Sequence, residues 1–140
     1  MTLSLMTQAE ETKIRELSQI LENDSEITLA ILFGSFATGT VHPNSDIDLA
    51  VQTRHPLEEN KKIQMIETTA LIFGRPVDLI DLRKVGIPLL GQIIKYGKVL
   101  KDTGQHFTEL AIKNVYTNED FLPYIKRNLK MRREKWIKSF

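Results

Sequence analysis

The chain has 140 residues and a mass of 16.1 kDa, so it is expected to form a single domain. Hydrophobic residues make up 41% and charged residues 26%, which excludes a largely disordered, collagen-like or low-complexity chain. Net charge is only +1, yet residues 1–30 hold six acids against two bases, and residues 118–140 hold seven bases against three acids.

Helix and strand signals alternate along the chain. Thr7 followed by Glu10 has the capping-box pattern, and Ile14, Leu17 and Leu21 follow at helical spacing, predicting a helix over about 8–22. Residues 27–33 form a short apolar run, read as a buried central strand. Gly34-Ser35 follows at once and is expected to start a short helical turn. A loop with a His42-Pro43-Asn44 turn leads to an alternating stretch over 46–52, the pattern of a strand with one covered face. A helix is expected over about 57–73, with Ile63, Ile66, Ala70 and Phe73 on one stripe and Gly74 as its stop. Residues 76–82 read as a third strand. Pro88 opens a short helix that ends near Gly97, and Val99-Leu100 suits a short edge strand. From about 105 the pattern is helical to the end, with a break near 117–118 or a kink at Pro123. The expected fold is α/β (α+β): a small mixed sheet flanked by helices, with a basic C-terminal helix. One domain is expected over 1–140, its core about 8–102 and its C-terminal helical segment about 105–138.

Several classes of function drop out. The longest apolar run, 29–33, is far below the roughly 20 residues that span a bilayer. Residues 1–11 carry no positive n-region, so no secretory signal is expected, and the default location is the cytoplasm. The chain has no cysteine, which excludes disulfides, cysteine zinc sites and thiol catalysis within it. His42, His55 and His106 show no helical metal-ligand spacing.

The chemistry concentrates in Gly34-Ser35, then ten residues, then Asp46-Ile47-Asp48. Gly34 leaves a buried strand without a side chain, so a phosphate can approach its backbone. Ser35 offers a hydroxyl and a backbone N–H at a helix start, where anions are favoured. Asp46 and Asp48 lie two apart on a strand, so both carboxylates point to one face. Asp is depleted in strands, and two like charges side by side repel. A divalent cation between them removes the conflict, and hard oxygen ligands suit Mg²⁺ shared with substrate phosphates. A third carboxylate is expected from 77–81. Asp78 is chosen because it sits inside the apolar run, while Asp81 suits a turn or a helix cap. That third carboxylate can take the proton from an attacking hydroxyl or bind a second metal ion.

These residues resemble the signature of the nucleotidyltransferase superfamily that includes DNA polymerase beta. The small size resembles its minimal nucleotidyltransferase (MNT) branch, and 33–51, 74–82 and 88–100 all fit that layout. Proteins of this branch are commonly the antitoxin half of HEPN–MNT toxin–antitoxin pairs. The resemblance implies a nucleotidyltransferase fold and Mg²⁺-dependent transfer of AMP from ATP to a tyrosine of a HEPN ribonuclease toxin, which silences it within a hetero-oligomeric complex. It also implies that Gly34 and Ser35 hold the β- and γ-phosphates, that Asp46 and Asp48 bind the metal, and that Asp78 joins them and activates the incoming hydroxyl. Many relatives carry Arg directly after the Gly-Ser pair; here the residue is Phe36. Two alternatives stand beside this reading: an antitoxin that acts by tight binding alone, and nucleotidyl transfer to a small molecule.

Other features carry less. The basic residues of 118–140 suit a solvated helix face first, an acidic partner surface second and nucleic acid last. Phe121, Leu122, Ile125, Leu129, Trp136 and Ile137 suit packing. Lys95, Lys98 and Lys101 flank Gly97, and these lysines and Arg75 are read as solvated surface ahead of nucleotide contacts. His55 and His106 are read as surface residues, and His42 lies in the loop between the two halves of the motif.

Overall fold

A computed structural model describes residues 7–117. The expected basic C-terminal helix falls on 118–140 and lies outside the described residues, as do the packing roles assigned there. Five helices and four strands alternate among the described residues: α1 (Gln8–Glu22), β1 (Ile27–Phe33), α2 (Ser35–Thr38), β2 (Ile47–Thr53), α3 (Glu59–Phe73), β3 (Val77–Asp81), α4 (Ile87–Tyr96), β4 (Lys98–Asp102) and α5 (His106–Thr117). The strands form one mixed sheet in the order β3-β2-β1-β4. β1 runs antiparallel to β2 and β4, and β2 runs parallel to β3 across the α3 crossover.

The sheet separates two apolar layers. On one face, Ile14, Leu17 and Leu21 of α1 and Met65 and Phe73 of α3 pack on Ala30, Leu32, Ile47, Leu49 and Val51. On the other, Leu90 and Ile93 of α4 and Leu110 of α5 pack on Leu29, Ile31 and Ala50. β1 is covered on both sides, which is why its sequence is continuously apolar instead of alternating.

Helix ends follow local chemistry. Thr7 and Glu10 close the capping box at the start of α1. Gly74 adopts φ 63° and ψ 31° and ends α3 in the left-handed conformation that glycine tolerates best. α3 differs from expectation in two ways. It begins at Glu59, after Pro56, Leu57 and Glu58, and its buried stripe is Met65, Thr69 and Phe73. Ile66 is only partly buried and Ile63 stays 44% exposed, because the helix is rotated so that Met65 faces α1 and β1.

Candidate active site

β1 delivers the chain to Gly34, which adopts φ 70° and ψ −151°. That region is essentially reserved for glycine. It turns the chain sharply into α2, where the amides of Ala37 and Thr38 donate to the Gly34 carbonyl. The close neighbour of Gly34 is Asp48: a Cβ built at Gly34 would overlap Asp48 Oδ2. The cause is strand pairing, since Phe33 is the register partner of Asp48 in the β1–β2 ladder. Absence of a side chain at 34 therefore brings backbone and carboxylate together.

Asp48 is also the register partner of Asp78 across the parallel β2–β3 pair. Facing positions in neighbouring strands put their side chains on the same face of the sheet. Burial pushes the Asp48 carboxyl above its ordinary pKa, and the charges of Asp78 and Asp46 push it further in the same direction. Asp48 thus feels both neighbouring carboxylates. Asp46 sits one residue before β2, not inside it as expected, and it is exposed, as is Asp78. Among the described residues, no three His, Cys, Asp or Glu side chains close into a ready-made metal cage. The cluster lies where β1 ends and β2 and β3 begin, at one end of the sheet. A cleft of about 290 Å³ lined by Glu26, Thr53, His55 and Lys61 belongs to the opposite end of the sheet, where β1 begins and β2 ends.

Asp81 is turned elsewhere. It pairs in register with Val51, and its Oδ1 accepts from the Arg83 amide at 3.0 Å, as the turn-cap expectation required. Ser35 starts α2 and is half-buried. Phe36 is a core residue: it is fully buried and meets Phe73 edge-on at 5.4 Å between centroids.

Three residues read as solvated or surface have other roles. Arg75 is half-buried, stacks its guanidinium 5.2 Å from the Phe36 ring centroid, and donates from Nη1 to the carbonyls of His42 (2.8 Å) and Ser45 (2.9 Å). Lys101 is 5% exposed, and its Nζ donates to the carbonyls of Leu21 and Asp24 at 2.8 Å each. It adds a second donor to carbonyls at and just beyond the end of α1, which also accept from the Asp24 and Ile27 amides. His106 is half-buried, with Nδ1 3.5 Å from Gln52 Nε2. The surface reading of His55 agrees with its side-chain exposure of 73%. No sequence signal marked Arg75 or Lys101, because both depend on contacts between distant segments.

The family described as Polymerase beta, Nucleotidyltransferase matches residues 15–106. The chain belongs to this family. Within the nucleotidyltransferase family, the chain is 36% identical over 110 residues to the protein adenylyltransferase MntA of Shewanella oneidensis, covering 79% of this chain and 78% of that protein. The fold is similar to a chain in the crystal structure of a toxin–antitoxin complex with AMP-PNP, at TM-score 0.62 and 31% identity over 92% of this chain and 96% of that one. It is also similar to a chain in the complex of a tri-AMPylated Shewanella oneidensis HEPN toxin with its MNT antitoxin, at TM-score 0.58 and 28% identity over 96% of this chain and 98% of that one. The expected nucleotidyltransferase fold, a mixed sheet flanked by helices, is the one observed. No helix among the described residues is long and apolar enough to cross a membrane.

Proposed function

We propose that this chain is the antitoxin of a two-protein pair and transfers AMP from ATP to a tyrosine hydroxyl of a cognate HEPN toxin, with which it forms a hetero-oligomer. The observation that carries this reading is the contact of the bare Gly34 backbone with the Asp48 carboxylate, beside Asp46 and Asp78. A phosphate chain laid along Gly34 would meet the carboxylates directly. The relatives supply the acceptor class, since one is a protein adenylyltransferase and another is the partner of a tri-AMPylated HEPN toxin.

The donor set fits Mg²⁺. Asp46, Asp48 and Asp78 are hard oxygen donors, and the charge crowding at Asp48 is the mark of a site that favours a cation. Mg²⁺ commonly takes one or two protein carboxylates and fills the rest of its shell with water and phosphate, so a closed protein cage is not required. Asp46, Asp48 and Asp78 would hold the ion, which would supply positive charge against the triphosphate. Gly34 and Ser35 receive the β- and γ-phosphates and hold the pyrophosphate end in place. The acceptor oxygen attacks the α-phosphorus, the bond to pyrophosphate breaks, and the hydroxyl proton passes to Asp78, the most accessible position for it on the edge strand. Positioning dominates such a reaction.

On this reading the chain is one nucleotidyltransferase domain over 1–140. Direct nucleic-acid binding is not favoured, and the pair works in the cytoplasm. The test is to mix the chain with the product of the adjacent gene, Mg²⁺ and ATP, and to record the intact mass of that product. A gain of one or more AMP units, absent with an Asp46→Asn, Asp48→Asn double variant, supports the reading. An unchanged mass in a stable complex overturns it in favour of neutralisation by binding alone.

A further inference from the structure

We propose that Arg75 is a positioning residue for the transfer reaction, locking the Gly-Ser turn and Asp46 to the strand that carries Asp78. The inference rests on the active-site reading above and adds to it a residue outside the motif.

Arg75 follows Gly74 and stands two residues before β3. Its Nη1 donates to the carbonyls of His42 (2.8 Å) and Ser45 (2.9 Å), with the Pro43 carbonyl at 3.5 Å. The Ser45 carbonyl belongs to the peptide bond that enters Asp46. On the other side of Asp46, the Ile47 amide donates to the carbonyl of Pro76 at 2.9 Å. Backbone on both sides of Asp46 is therefore tied to two successive residues, 75 and 76. Asp78 lies two residues further along that segment, in register with Asp48.

The same guanidinium reaches the other half of the motif. Its Cζ lies 5.2 Å from the centroid of the Phe36 ring, and Phe36 follows Gly34-Ser35 directly. Phe36 in turn is fixed in the core against Phe73, the last residue of α3. Three segments that are remote in sequence thus meet at one side chain: the phosphate turn, the loop entering Asp46 and the start of β3. Val41 packs on the core and Ser45 is buried, and Arg75 ties down the exposed stretch His42-Pro43-Asn44 between them.

The chemistry calls for arginine. A guanidinium can stack its flat face on a ring while its edge N–H groups donate in the plane. An ammonium keeps the charge but cannot do both. A misplacement of about 1 Å in a reacting group costs on the order of 100-fold in rate.

The test measures transfer to the HEPN protein at saturating ATP, and separately the binding of AMP-PNP by calorimetry in the presence of Mg²⁺. For Arg75→Ala, kcat is expected to fall about 10–100-fold and AMP-PNP to bind about tenfold more weakly, at a temperature where circular dichroism shows the variant folded. Arg75→Lys is expected to recover the fold fully and kcat only in part. Lys101→Met is the comparison for stability alone and is expected to keep kcat and AMP-PNP affinity near those of the parent. An Arg75→Ala variant within twofold of the parent in both readouts overturns the positioning role, as does an equal loss in Lys101→Met. A parent chain that modifies no partner overturns the functional reading itself, and with it this one.

Discussion

Gly34 and Asp48 are adjacent because strand pairing sets Phe33 opposite Asp48, and Gly34 follows Phe33. Asp48 is a residue whose fold-state chemistry works against its charge. Burial, then Asp78, then Asp46, all raise its pKa. For an acid raised in the folded state, stability falls as pH rises from the unfolded pKa through the folded one. At neutral pH the ionised carboxylate is therefore a cost to the fold, retained for what it binds. Asp48→Asn removes that cost and keeps the shape. We expect it to lower AMP transfer by about 10²–10⁴-fold while raising Tm by roughly 1–3 °C in metal-free buffer, the gain kept small by solvent screening. Scanning calorimetry beside the transfer assay checks both. A Tm unchanged or lower would show that Asp48 is held comfortably and that the crowding is not felt. Position 36 was legible in the sequence as a departure from relatives, but its burial and the Arg75 guanidinium over its ring were not.

Among the elements, the strands were the more readable. The apolar run at 27–33 translates directly into a strand covered on two faces, whereas the alternation over 46–52, read as one covered face, belongs to a strand covered on both, because small Ala50 packs under α4 and α5. The α3 stripe was misplaced because its pattern admits two faces, and packing against α1 selects the one through Met65 and Thr69. Lys101 was misread for a related reason. Its neighbours Lys95 and Lys98 are exposed, and only the crossing of β4 beneath α1 buries it against the helix end. Lys101→Met leaves the carbonyls of Leu21 and Asp24 without that donor, and a loss of about 1–3 kcal/mol is expected, read from the urea midpoint. Asp102, at the end of the same strand, organises the start of α5. Partial burial opposes its charge, but amides of Gly104, Phe107 and His106 and the His106 imidazole outweigh it and hold its carboxyl below the usual range. A lowered folded pKa contributes stability above the ordinary carboxylate value of 3.8, and that contribution is lost as pH falls through the folded one. Asp102→Ala is expected to cost about 0.5–2 kcal/mol at pH 7, with the gap to the parent closing as pH drops below that value. Paired thermal melts between pH 7 and pH 3 check it; a gap independent of pH would reduce Asp102 to a packing residue.

At the scale of the molecule, the active-site end of the sheet is separable from the two apolar layers that hold the fold. The site is built from β1, β2 and β3 ends with the Gly34 turn, and none of its carboxylates takes part in core packing. Family and fold were legible in the sequence because the motif is local, with only ten residues between its halves. The partner's chemistry was legible only through resemblance, since no composition or spacing names a tyrosine acceptor. Separability gives the last prediction. Replacing both Asp46 and Asp48 with Ala deletes two exposed or half-exposed carboxylates and leaves both apolar layers intact. Surface or functional-site changes of this kind rarely unfold a domain. The double variant is expected to co-purify with the HEPN protein at the parent's stoichiometry, yet to leave its ribonuclease activity unrestrained once ATP and Mg²⁺ are supplied. Size-exclusion chromatography of the mixture reads the first half, and an RNA cleavage assay on the recovered complex reads the second. A complex in which the variant still silences cleavage would mean that contact alone neutralises the toxin, and the carboxylates gathered at Asp48 would then need another acceptor to explain them.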